Sequence, residues 1–150
     1  MPIASGMKLT PARLNALQNK VYDAAASADL VLTGSAQDVP GATITFTTVF
    51  PGAKAVCTWI ADTDATNATA AVGSCFPAVD GTDQPAPMTI LEQGTTNDAR
   101  ATIGQQATYT LAAAGSHTIK LRGQRVSGTG ADTIKGTHTT LRILVQENVA

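Results

Sequence analysis

Apolar and polar residues alternate with a period of two along most of the chain after residue 41. In the run 42–50, "ATITFTTVF", Ile44 and Phe46 point one way and the threonines between them point the other. Successive side chains of a β-strand point to opposite faces of its sheet, so this pattern is typical of a strand with one buried face. We therefore expect a protein built mainly from β-strands.

Similar runs follow, and turn residues separate them. Further strands are expected at 53–63, 70–80, 85–93, 101–112, 115–123 and 137–147, with a short first strand at Leu30–Thr33. We expect Pro77 to interrupt its run, and the prolines of 85–93 to mark an edge strand. The residues predicted to face inward are Ile103, Ala107, Tyr109, Leu111, Ile119, Leu121, Leu141, Ile143 and Val145. Seven or eight short strands in one domain predict an antiparallel β-sandwich of the jelly-roll kind.

Composition agrees with a single β domain. The chain has 150 residues, enough for one domain of ordinary size. Its apolar share of 43% can build a core although aromatic residues make up only 4%. Threonine is abundant, and its branched Cβ suits the pleated surface of a sheet.

Charge and hydropathy argue against two classes of partner. The formal net charge is −1, and no stripe of Lys and Arg is present, so we expect no nucleic-acid partner. No run of 18 apolar residues occurs, so we expect no membrane-spanning helix. Lys8 and Arg13 precede no long apolar run, which argues against a secretory signal.

The segment before the strands predicts a short α-helix. Thr10 is a favourable N-cap, and Pro11 occupies the first helical position, where its missing N–H costs nothing. Leu9 can pack against Leu14 as a hydrophobic staple. We therefore expect a helix of about three turns that starts at Pro11 and reaches Val21.

This helix presents a narrow apolar stripe formed by Leu14, Leu17 and Val21. Isolated helices of this length are marginal in water, so the stripe needs a surface to cover it. That surface is either a partner protein or the chain's own sandwich. We divide the chain into an N-terminal attachment segment, 1–29, and a β-sandwich domain, 30–150.

Few residues indicate catalysis or metal binding. His117 shares a face with Ile119 and Leu121, which is typical of a structural histidine, and no nucleophile motif accompanies it or His138. Asp62 and Asp64 begin a run that lacks the other ligands of a calcium loop and is better interpreted as a turn. We expect no enzyme activity, no cofactor and no metal.

The two cysteines, Cys57 and Cys75, both lie in predicted strands. Without a secretory signal, two packed thiols are favoured over a disulfide bond.

Both ends of the chain resemble proteins of tailed bacteriophage particles, especially those of phages that infect actinobacteria. "GMKLTPARLNAL" (6–17) is similar to the opening segment G-x-x-L-T-x-x-x-L-N of many such virion proteins. The segments "TYTLAAAGSHTIKLRGQRVSGTG" (108–130) and "THTTLRILV" (137–145) resemble the last strands of their small jelly-roll modules, and "VDGTDQP" (79–85) resembles the turn before the middle strands.

The resemblance implies a structural protein on the surface of a virion, on the capsid or on the tail, and commonly a homotrimer. The sandwich lies close in sequence to its attachment segment, which favours a capsid decoration protein that binds the major capsid protein. The alternative is a minor tail or tail-tip protein that binds host surface carbohydrate. Leu144 lies on the outward side of the last strand, and we expect it to be a subunit contact.

Overall fold

The computed structural model describes residues 10, 11, 14, 18–65, 70–86, 88–93 and 99–147, and strands dominate this part of the chain. The strands are β1 (Lys20–Ala25), β2 (Leu30–Val31), β3 (Gln37–Thr48), β4 (Ala53–Ala65), β5 (Ala71–Val79), β6 (Thr82–Asp83), β7 (Thr89–Gln93), β8 (Ala99–Leu111), β9 (Gly115–Gly128), β10 (Asp132–Ile134) and β11 (Thr140–Gln146). None of the described residues belongs to a helix long and apolar enough to cross a membrane.

The strands form two antiparallel sheets. In sheet A the order of the long strands is β1-β11-β4-β8, and the short strands β10 and β2 extend it beside the end of β4. In sheet B the order is β3-β9-β5, with β6 and β7 both on the far side of β5. The eight strands of five or more residues make two four-stranded layers, β1-β11-β4-β8 and β3-β9-β5-β7. This is the order of a jelly roll, and it confirms the predicted antiparallel sandwich.

The core lies between the two sheets. Along β4 the inward residues Ala55, Cys57, Trp59 and Ala61 are fully buried, and the small alanines leave room for the indole ring. Of the inward residues predicted from the sequence, Leu111, Ile119, Leu121, Leu141, Ile143 and Val145 are buried, while Ile103, Ala107 and Tyr109 on the edge strand β8 are half-buried. The period of two therefore predicted the correct face of each of these strands.

Near β2 and β10, at one end of the sandwich, two core side chains pack directly against the backbone of a glycine. Gly123 in β9 has no side chain, and a Cβ there would lie 2.5 Å from Ile134 Cδ1 and 2.6 Å from Leu32 Cδ2. Both side chains are buried in this space. The connection 129–139 contains β10 and packs onto the core through Ile134.

The N-terminal prediction needs correction. Residues 20–25 form β1, which pairs with β11, so Val21 lies in a strand and not in a helix. Only a fragment of the rest of the expected helix is described, in which the Leu14 N–H donates to the Thr10 carbonyl at 3.0 Å, and no helix is supported. The sandwich therefore starts ten residues before the predicted boundary at residue 30.

Pro77 does not interrupt its strand, contrary to expectation. It lies within β5, opposite Leu121 of β9. Its carbonyl oxygen accepts from the Gln84 N–H at 2.9 Å, on the side away from β9. The N–H and C=O groups of one residue in a strand point to the same side, so the N–H that proline lacks would also have pointed away from β9. Pro77 therefore removes no hydrogen bond to β9. The edge strand predicted at 85–93 is confirmed, because β7 pairs with β5 alone among the described strands.

The two ends of the sandwich differ. Lys20 pairs with Val145, and the Glu147 carboxylate accepts from the Val49 N–H at 2.9 Å, so the first and last strands meet the β3–β4 turn at one end. We call this the terminal end. The connections 26–36 and 129–139 lie at the opposite end, which we call the loop end.

Candidate functional site

The outer face of sheet A is the most distinctive surface of the described chain. It consists of the outward side chains of β1, β11, β4 and β8, which line up in rows across the four strands. Cross-strand neighbours on one face of a sheet lie about 5 Å apart and interact directly. The side chains of one row are therefore described together.

Of the rows that cross all four strands, the one nearest the terminal end is mostly aliphatic. Val21 pairs with Leu144, Leu144 with Val56, and Val56 with Thr108. Val21 is 55% exposed, and Leu144 and Val56 are half-buried although they face solvent. We call Val21, Leu144 and Val56 the apolar row.

The next row is charged. Asp23 pairs with Arg142, and the Arg142 Nε donates to Asp23 Oδ1 at 2.6 Å. This hydrogen bond raises the pKa of Arg142, so the guanidinium is charged at any physiological pH. Both side chains are more than half exposed, and surface ion pairs of this kind stabilise a fold by little. The pair places one negative and one positive charge at fixed positions beside the apolar row.

The third row borders a concavity at the loop end of this face. Ala25 pairs with Thr140, and Thr140 with Ile60. The concavity has a volume of about 590 Å³ and is lined by Asp23, Ala24, Ala25, Thr58, Ile60, Thr140 and Arg142. Its size is within the range of small-molecule sites. The lining offers hydroxyl groups, one ion pair and aliphatic surface.

The structure brings together two of the five interface residues predicted from sequence. Val21 and Leu144 are direct cross-strand partners, even though Val21 was assigned to a helix. Leu14 is described and is 50% exposed. Leu9 and Leu17 lie outside the described residues. Sequence reasoning missed Val56 and Ile60, since only the strand order places them next to these residues.

A second polar cluster lies at the loop end, around Asp62. This residue and Asp64 belong to β4, so residues 62–65 are strand and not the beginning of the expected turn. The Asp62 side chain is fully buried and accepts from Arg100 Nη2 at 2.6 Å and from Nε at 3.1 Å. The bonds from Arg100 lower the pKa of Asp62. Among the described residues, no three His, Cys, Asp or Glu side chains come together as metal ligands.

Asp132, the first residue of β10, is also fully buried, but no described group hydrogen-bonds to its side chain. Neither of its carboxylate oxygens has a hydrogen-bond partner. Gly73 makes room for this side chain, since a Cβ there would lie 3.0 Å from Asp132 Oδ2. Burial raises the pKa of Asp132, with a smaller opposing effect of the Arg125 charge.

His117 and the cysteines are structural, as expected. The His117 ring is buried, with Nδ1 at 2.7 Å from Asp80 Oδ2 and Nε2 at 3.1 Å from the Ala113 carbonyl oxygen. These contacts join the β5–β6 turn to the β8–β9 connection. Cys57 and Cys75 are buried free thiols, and burial raises the pKa of each to about 12. Neither thiol has the exposure or low pKa of a reactive cysteine.

Comparisons with known proteins give structural likeness only. No family model matches the sequence, and no match was found among curated proteins. Dimeric latent PorU from Porphyromonas gingivalis is 9% identical with a TM-score of 0.45, over 87% of this chain and 13% of that protein. The CBM36-1 domain of a xylanase from the hindgut metagenome of Trinervitermes trinervoides is 14% identical with a TM-score of 0.37, over 83% and 96%.

The structure of infectious bursal disease virus, Gx strain, contains a further similar chain. It is 11% identical with a TM-score of 0.43, over 89% of this chain and 38% of that one. This chain therefore spans well under half the length of PorU and of the viral protein. At these TM-scores the likeness supports no conclusion about function.

Proposed function

We propose that this chain is a non-enzymatic structural component of a phage virion, a β-sandwich that decorates the capsid surface and is attached through its N-terminal segment. The observation that carries the proposal is the exposed apolar row on the outer face of sheet A. This row begins at Val21 in β1, the strand that directly follows residues 1–19 of the N-terminal segment. The segment and the apolar row can therefore contact the same partner surface.

The strength of such a contact can be bounded. Covering the exposed parts of Val21 and Ile60 contributes roughly 1 kcal/mol each at about 25 cal/mol per Å². A micromolar complex requires about 8 kcal/mol, so the outer face alone does not hold one chain on a particle. Leu9, Leu14 and Leu17 of the attachment segment supply further apolar surface. Several linked copies on one particle increase the apparent affinity again.

The resemblance of residues 6–17 to the opening segment of phage virion proteins supports the same proposal. Because β1 begins at Lys20, the segment that carries Leu14 leads into the sandwich itself. A sandwich held in this way lies close to the surface it decorates. This arrangement favours the capsid over a long tail appendage.

Carbohydrate binding by a tail protein is the second candidate, and the concavity beside Arg142 favours it. Hydroxyl and charged side chains there could bind sugar hydroxyls. However, sugar rings usually stack on exposed aromatic side chains. All six aromatic residues of this chain are described, and each is buried or half-buried. We therefore rank this candidate second.

Incorporation into particles tests the proposal. We expect deletion of residues 1–18, and separately Leu14→Asp with Leu17→Asp, to abolish co-sedimentation with particles that lack the protein. Val21→Asp should weaken it, because a charge enters the apolar row. The matched control is Val126→Asp, a valine of similar exposure in β9 of the other sheet. Full incorporation of the deleted chain, or equal loss with both valine variants, would overturn the proposal.

Binding to a glycan array distinguishes the second candidate, a carbohydrate-binding tail protein, from the first. Reproducible binding to one glycan class that Arg142→Ala removes would favour the tail protein. The absence of such binding, together with incorporation through residues 1–18, would favour the capsid.

A further inference from the structure

Strand β8 leaves one edge of sheet A open. It pairs with β4 over 13 positions, from Ala99 opposite Ala65 to Leu111 opposite Ala53, without a register shift. In the described chain β8 has no hydrogen-bonded neighbour on its other side. An edge strand with an open backbone can pair with another strand unless something prevents it.

The other sheet edges carry features that prevent pairing. Strand β3 contains Pro40 and a positive-φ Gly41, and its register with β9 shifts between Asp38 and Thr43. Strand β1 has only six residues, and the strands at the far edge of sheet B are shorter still. In contrast, the run 101–111 of β8, "ATIGQQATYTL", has no charge and no proline.

The direction of the backbone groups identifies which residues face the open edge. The Leu111 carbonyl accepts from the Gly52 N–H at 2.7 Å, and the Ala101 carbonyl accepts from Thr63 Oγ1 at 3.1 Å, so both point toward β4. Backbone groups alternate between the two sides of a strand from one residue to the next. The N–H and C=O groups on the open edge are therefore those of Thr102, Gly104, Gln106, Thr108 and Thr110.

We propose that this open edge pairs with β8 of a second copy of the chain, antiparallel and centred on Gln106. In this register Gln106 faces Gln106 of the second copy, Gly104 faces Thr108, and Thr102 faces Thr110. Each of these pairs directs its free N–H and C=O groups at the opposite strand. The two strands can thus form a regular ladder with no change in either sandwich.

The side chains fit the same register. On the outer face Thr102 meets Thr110, a cross-strand pair that can share a hydrogen bond. On the inner face Ile103 meets Tyr109, a favourable pair of β-branched and aromatic residues. Both of these inward residues are only half-buried, so pairing covers apolar surface that the single sandwich leaves open. No like charges come together, because the run carries none.

The expected affinity is modest. Eleven residues of strand are about 37 Å long, and with a sheet thickness near 10 Å they bury about 400 Å² on each copy. The total of about 800 Å² is below the range of stable interfaces, about 1,200–2,000 Å². We therefore expect a dimer that dissociates on dilution and that forms more fully where copies are concentrated.

A proline at the centre of the open edge tests the backbone contact. Gln106→Pro removes an outward N–H, and a proline there removes no bond to β4. We expect sedimentation velocity to show a mass that doubles with concentration for the wild type, and association weakened at least ten-fold for the proline variant. Gln106→Ala keeps the N–H and should associate as the wild type does. Thermal unfolding confirms that each variant is folded.

A pair of double variants tests the register. Gly104→Lys with Thr108→Lys places like charges opposite each other, whereas Gly104→Glu with Thr108→Lys places opposite charges there. The Cβ at position 104 meets nothing closer than the Trp59 carbonyl oxygen at 3.9 Å, so both changes fit. We expect the first variant to lose association and the second to keep it at low salt.

Three results would overturn the proposal. The first is a wild-type mass that does not change with concentration up to about 1 mM, the weak limit of specific association. The second is equal association of the proline and alanine variants. The third is equal behaviour of the two double variants. If the chain also forms a trimer through the outer face of sheet A, the edge of β8 stays free to pair. The wild type should then form pairs of trimers, and Gln106→Pro should still halve the mass.

Discussion

Asp62 and Asp132 are buried carboxylates with opposite surroundings. Asp62 accepts two hydrogen bonds from Arg100, whose side chain is 49% exposed and keeps part of its hydration. The carboxylate of Asp132 has no hydrogen-bond partner in the described chain. Hydrogen bonds to the charged form lower the pKa of an acid, and burial without a partner raises it. The two residues should therefore make the stability of the protein depend on pH in opposite directions.

Asp62→Asn should destabilise the protein above pH 4. Because the folded pKa of Asp62 is lowered, its contribution is present above the unfolded pKa and is lost as the pH falls through the folded pKa. We expect the melting temperature at pH 7 to fall by roughly 2–4 °C, the effect of about 1 kcal/mol in a chain of this size. Calorimetry at pH 7 and pH 3 checks this. A difference from the wild type that is equal at both pH values would contradict it.

Asp132→Asn should have the reverse effect. The folded pKa of Asp132 is raised, so the wild type loses stability as the pH rises from the unfolded pKa, near 4, through the folded value. The amide has nearly the same shape and stays neutral. We expect the variant to match the wild type near pH 3 and to melt roughly 2–4 °C higher at pH 8. Urea unfolding across this range measures it, and a variant less stable than the wild type at pH 8 would refute it.

At the scale of elements, β1 shows why sequence patterns can fail. Val21 continues the spacing of Leu14 and Leu17, and the alanines that follow favour a helix. In the structure, Val21 and its neighbours pair with β11, and the Tyr22 ring stacks on Phe46 at 5.5 Å. The pairing of β1 with β11 decides the conformation of residues 20–25, and no pattern within these residues indicates that pairing.

Two truncations separate β1 from the segment before it. Deletion of residues 1–18 leaves β1 intact, so the melting temperature should change by less than about 2 °C. Deletion of residues 1–29 removes β1 and the Tyr22–Phe46 contact, and it should cost at least about 3 kcal/mol, the scale for loss of a large core side chain. Circular dichroism during heating distinguishes the two. Equal stability of both truncated chains would show that β1 is dispensable.

Short strands in glycine-rich segments were missed for a different reason. Strand β10 has three residues, too few for alternation to be visible between Gly130 and Gly136. It forms because the adjacent edge of β4 is free beyond the end of β11, at Thr63–Ala65. Ile134 then fills the space above Gly123. Such a strand is specified by its neighbours and not by its own sequence.

At the scale of the molecule, the sequence predicts the class of fold but not the arrangement of strands. Ile119, Leu121 and Leu141 indicate which face of each strand is buried, because period two is a local property. Strand order depends on pairing between residues far apart in the chain, such as Val21 with Leu144. The outer face of sheet A was therefore only partly predictable, through Leu144 alone.

Oligomeric state is the prediction that belongs to the whole molecule. Strand β11 lies between β1 and β4, so Leu144 can reach another subunit only through the outer face. The homotrimer expected from the sequence stays a prediction, and Leu144→Asp should weaken it more than Val126→Asp does. Sedimentation equilibrium decides this. A monomer at high concentration, or equal effects of the two variants, would exclude a trimer built on this face.

The first and last strands meet at one end of the sandwich, which gives the molecule a polarity useful for the display of peptides. Lys20 and Val145 are neighbours there, so a peptide fused after β11 would leave from the same end as the segment that precedes β1. It would be crowded against any surface that this segment holds. A peptide inserted between β4 and β5 would instead leave from the opposite end, where Ala65 lies beside Asp132. The fold therefore makes an internal insertion, and not a tail fusion, the way to present a foreign epitope outward.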